Sequence, residues 1–151
     1  MQSQAYITPA LGKAGTISRL NPVPQHLPFV AEGDGVVAGK FVFAGTNPET
    51  QVVGLGAADE VPAGLAIFEK YQPNLGENGL TINEGEQLAV LLRGCAYIIA
   101  TAAATKGMKV GVTPTTGAIE IADTLSTGVV DTGWVVETGG ASGAVIEIKN
   151  V

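Results

Sequence analysis

The passage that most limits the fold is residues 86–102, EQLAVLLRGCAYIIATA, the longest strongly apolar stretch of the chain. Arg93-Gly94 divides it into two short runs, 88–92 and 95–100. A helix crossing a bilayer needs about 20 consecutive apolar residues, and the break comes well before that length. The passage therefore reads as two buried strands at the centre of a β domain.

The flanking sequence agrees. Glycine recurs through the body every six or seven residues, too often for packed helices. Phe41 and Phe43 alternate with Val42 and Ala44, the period of a half-buried strand. Residues 46–49, Thr-Asn-Pro-Glu, turn the chain, and 51–55 return as a hairpin partner. A further strand is expected at 63–68, then a loop over 71–83 with a tight turn at Asn78-Gly79. After the central passage, 101–106 reads as irregular. Met108, Val110 and Val112 face Ile119 and Ile121 across a turn at 114–117, which is a hairpin. Trp134 and Val136 pair likewise with Ile146 and Ile148 across the turn at 138–143. Short strands with such turn signals predict an all-β fold, a compact sandwich or barrel, a jelly roll among the options.

Residues 1–28 differ from the rest. They hold four of the eight prolines (Pro9, Pro22, Pro24, Pro28), and their apolar residues follow no helical or strand period. Proline removes a backbone donor and biases its predecessor toward extended conformations. The stretch is expected to be an extended N-terminal arm, with 29–151 forming the body. It carries Lys13 and Arg19 and no acid, a net +2, against six cations and fourteen acids in the body, a net −8. An arm lying on its own body and an arm reaching a neighbouring subunit or a partner both fit. Its candidate contact residues are Tyr6, Ile7, Leu11, Lys13, Ile17, Arg19, Leu20 and Val23.

The chemistry of an enzyme is missing from the pattern. One histidine, His26, and one cysteine, Cys95, build neither a multi-histidine metal site nor a disulfide. Cys95 lies in an apolar run, where a free thiol acts as a small hydrophobe. Residues 32–35, Glu-Gly-Asp-Gly, lack the ligand spacing of a calcium loop. Residues 54–56, Gly-Leu-Gly, lack the third glycine of a dinucleotide turn. Glu84 and Glu86 read as solvated. No catalytic residue, metal site or cofactor is expected. The net charge of −6 argues against nucleic acid as a partner. No signal peptide is seen at the N-terminus, and neither secretion nor a membrane is expected. Charged residues are only 15% of the chain, against ~25% in ordinary domains. Cover by a partner protein would account for that shortage, as would a surface of Thr, Asn and Gly.

The body resembles the structural cement, or capsid decoration, proteins of tailed bacteriophages. The resemblance rests on VVAGKFVFAG at 36–45, VPAGLAI at 61–67 and EGEQLAVLLRG at 84–94. TKGMKV at 105–110, TGAI at 116–119 and GAVIEI at 143–148 continue it. It implies a small β protein, assembled in the host cytoplasm, that sits on the outer capsid surface of the virion. There it would act as a homo-oligomer, dimer or trimer, cementing neighbouring major capsid protein subunits. A β module of a phage tail or fibre that binds a host-surface ligand is the alternative.

Overall fold

The computed structural model describes residues 12–67 and 81–151. The chain runs through β1 (Ile17–Arg19), β2 (Gln25–Ala31), β3 (Val36–Val37), β4 (Phe41–Ala44), β5 (Gln51–Val53) and β6 (Gly64–Ile67). It continues with β7 (Thr81–Ile82), β8 (Gln87–Ile99), β9 (Lys109–Thr113), β10 (Ala118–Ala122), β11 (Val130–Thr138) and β12 (Val145–Asn150). No helix occurs among the described residues. The all-β expectation holds, and so do the hairpins β4–β5, β9–β10 and β11–β12. The expected turn at Asn78-Gly79 lies outside the described residues.

Five strands close a ring in the order β8-β2-β5-β4-β6 and back to β8. The β2–β5 pair is parallel and the others antiparallel. Alternate side chains of all five strands meet inside this barrel: Ala31, Val42, Val52, Ala66, Leu88 and Val90. The β3–β7 ribbon adds Val36 and Ile82 to the same cluster.

The far half of β8 leaves the ring and starts a second sheet, with β12, β11, β9 and β10 on one side and β1 on the other. The inner face of that sheet packs on the outside of β4, β6 and β8 to form the larger core. Phe41 of the barrel and Trp134 of the sheet meet edge to face there, ring centroids 6.4 Å apart. Such a pair adds about 0.5–1.5 kcal/mol beyond its buried area.

Two expectations change. The apolar passage is one strand of 13 residues rather than two. Arg93-Gly94 is where it bends from barrel to sheet, and the β2–β8 register shifts beside it, between Gln25 and His26. Gly94 is buried with φ +129°, and a Cβ there would stand 3.1 Å from the Pro24 Cα. Only glycine fits that corner.

The boundary drawn after residue 28 falls inside β2. From Ala14, which is buried, the chain is already seated on its own body. Pro28 is tolerated because Val30, two residues on, sends its N–H away from β8 to the Thr50 carbonyl. Pro28 faces the same way, onto an edge with no partner strand among the described residues.

Candidate interaction surface

The eight residues singled out from the sequence separate into three groups. Tyr6, Ile7 and Leu11 lie outside the described residues. Lys13, Ile17 and Arg19 each have a partner, and those of Ile17 and Arg19 lie in the body. The Gly15 amide donates to the Tyr97 carbonyl (2.9 Å) and the Tyr97 amide to the Thr16 carbonyl (3.0 Å), which seats β1 along β8. Ile17 packs against the larger core, and Lys13 is exposed but has a partner. Leu20 and Val23 form the third group, 78% and 76% exposed. The N-terminal stretch thus supplies both structural residues and free apolar ones.

Arg19 reaches across β8 to β12. Its Nε donates to Glu147 Oε2 at 3.0 Å and its Nη2 to Glu147 Oε1 at 2.6 Å. Glu147 is buried, and this two-pronged bond supplies the charge partner a buried carboxylate needs. The bond, and then the charge of Glu147, raise the Arg19 pKa above its ordinary value. The same sheet carries Glu137 against Lys149 (2.7 Å) and Lys106 (3.3 Å), and Lys109 against Asp131 (3.4 Å). Pairing with Lys149 and then Lys106 holds Glu137 below the usual carboxylate value. Burial, and then the charge of Glu147, push the Cys95 thiol up. That keeps it protonated, the reverse of what a nucleophile needs.

Two groups of exposed apolar residues remain. Pro22, Val23, Gln25, Arg93, Gly94 and Val151 line one hollow at the β8 bend. Val151 is 72% exposed, and Arg93 has no ion-pair partner among the described residues. The second group is on the 54–62 loop, where Leu55 is 54% and Val61 70% exposed. The loop is tied down by the Gly56 amide on the Pro114 carbonyl and the Ala57 amide on Glu60 Oε2. None of Arg93, Leu55, Asp59 or Val61 is among the contact residues expected from the sequence. The available signals were a lone cation inside the most apolar passage and a loop pairing Leu and Val with acids.

The profile of the family described as structural cement protein (E217 gp24/Pam3 gp6) matches residues 1–150. No curated protein matches the chain. Among solved structures, a chain from "The capsid of Myoviridae Phage XM1" is similar, with a TM-score of 0.67 and 17% identity. That match covers 99% of this chain and 96% of the other. The head fibre gp8.5 N base of bacteriophage phi29 is similar at a TM-score of 0.53 and 12% identity, over 85% of this chain and 95% of that one. These structural likenesses establish a shared fold. With the family profile spanning nearly every residue, the chain belongs to the phage structural cement proteins.

Proposed function

We propose that this protein binds the outer surface of a phage capsid as a homo-oligomer and holds neighbouring major capsid protein subunits together. The observation that carries the reading is the family match over residues 1–150. The fold is suited to the task. A barrel closed on itself leaves few strand edges open to uncontrolled pairing, so adhesion rests with particular side chains. In this reading Tyr6, Ile7 and Leu11, ahead of the seated β1, supply apolar anchors to the capsid, and Lys13 sets their orientation. Each contact is modest, and several per oligomer multiply the avidity.

Pelleting with undecorated heads tests this. The full chain is expected to co-sediment with heads, and a variant lacking residues 2–11 to bind about tenfold or more weakly. That deletion stops short of the buried Ala14 and of β1. A deletion of 2–27 would strip β1 and the start of β2 from β8 and leave Glu147 without Arg19. Full-length protein that stays in the supernatant overturns the proposal. If the same protein instead binds host cells, the fibre-module reading takes its place.

A further inference from the structure

We infer that copies of this protein associate head to tail, the hollow around Arg93 on one copy receiving the 55–61 loop of the next. This rests on the homo-oligomer part of the proposed function and names the surfaces involved.

The two surfaces are complementary in kind. The hollow places an unpaired guanidinium among Pro22, Val23 and Val151, with Leu20 just before it in the chain. The loop offers Leu55 and Val61 with the carboxylate of Asp59 between them. Val23 and Val151 in the hollow and Leu55 and Val61 on the loop are four of the seven exposed large hydrophobics among the described residues. The cations Arg19, Lys106, Lys109 and Lys149 each meet a carboxylate within the chain. Among the described residues Arg93 and Lys40 meet none; of these two only Arg93 lines this hollow, and no bond is seen to the Asp59 side chain either. An exposed cation set among apolar groups, on a chain of net −6, is complementary to an opposite charge carried on an apolar segment. The chain carries such a segment itself.

The loop is also built rather than slack. Asp59 has φ +62°, the one positive φ at a non-glycine position among the described residues. Asp tolerates that region better than most residues, and the Glu60 amide, bonded to the Ala57 carbonyl, helps hold the turn. The loop is anchored at Pro114, while the hollow lies beside Asn150 at the β8 bend. No residue of the loop lines the hollow, and the inferred contact is one between copies. Because it joins two different patches, it is heterologous and generates a ring when the rotation closes. Arginine beside apolar groups is the composition of interface centres.

Sedimentation velocity of the isolated protein tests the contact. Wild type is expected to associate, and Arg93→Asp and Asp59→Arg each to weaken association about tenfold or more. The double variant R93D/D59R, which exchanges the charges at every contact, is expected to recover it. Val23→Asp, also at an exposed position, should match R93D while melting like the parent. A monomeric wild type, single variants that associate like the parent, or a double variant that fails to recover would each overturn the inference. So would an R93D protein that stays oligomeric but no longer binds heads, since the hollow would then face the capsid. If wild type associates but leaves heads bare, the capsid reading fails and this contact stands.

Discussion

Arg19 and Glu147, 128 positions apart, form a two-pronged ion pair with N–O distances of 3.0 and 2.6 Å. It fastens the first strand to the last across β8, so the early chain is a structural part of the sheet. The Arg19 side chain is half-exposed and the Glu147 side chain is not. The pair therefore matters chiefly for what its loss leaves behind, a buried carboxylate without its cation.

Arg19→Ala should unseat β1 without unfolding the barrel. The Gly15 and Tyr97 amides, which bond the residues just before β1 to β8, should exchange with solvent faster, and the melting temperature should fall. Arg19→Lys keeps the charge but loses the fork, so an intermediate effect is expected. Unchanged exchange at these two amides would show that the pair does not hold the strand.

Acid should weaken the fold through Glu137 and Glu32. Glu137 is held below its ordinary value of 4.5 by Lys149 and Lys106. Glu32 is held below it by the Thr46 hydroxyl and then the Thr46 amide. A carboxylate whose folded pKa is depressed contributes stability above its unfolded pKa, and loses it as pH falls through the folded one. Denaturant melts should therefore show stability dropping as pH falls below about 4.5, and Glu137→Gln should flatten that limb. An acid limb of equal slope in the variant would assign it to other groups.

Gly94→Ala should cost about 1–3 kcal/mol, because alanine would be forced to positive φ against Pro24. For a domain of this size that is a drop of roughly 2–4 °C per kcal/mol. A variant that melts with the parent would mean β8 bends elsewhere.

Val90→Asp should prevent folding or cost more than about 4 kcal/mol. Val90 is fully buried inside the barrel, among Ala66, Leu88 and Val42. Near-wild-type melting would remove it from the interior.

What the sequence disclosed follows from which faces are buried. β10 and β11 have one covered face, so Ile119 and Ile121, and Trp134 and Val136, show plain alternation. β8 is buried on both faces along much of its length, so it shows no period, and its bend at Gly94 looks like an end. β2 is exposed at Gln25, His26, Leu27 and Pro28, with a proline on a free edge, so it reads as a tail. Closure of the barrel through β6 and β8 joins Leu65 to Leu91, a pairing no local pattern announces. The residues proposed for contact differ in how far the sequence marks them. Leu20 and Val23 stand out as unpaired apolar groups in the sequence. Arg93 and Asp59 acquire meaning only when the fold shows what lies beside them.

The most direct test of the account is a cryo-electron microscopy reconstruction of undecorated heads incubated with the purified protein. The account predicts new β-rich density outside the shell, at joints between major capsid protein subunits, with the barrel resolved. Heads that gain no external density at saturating protein would contradict it.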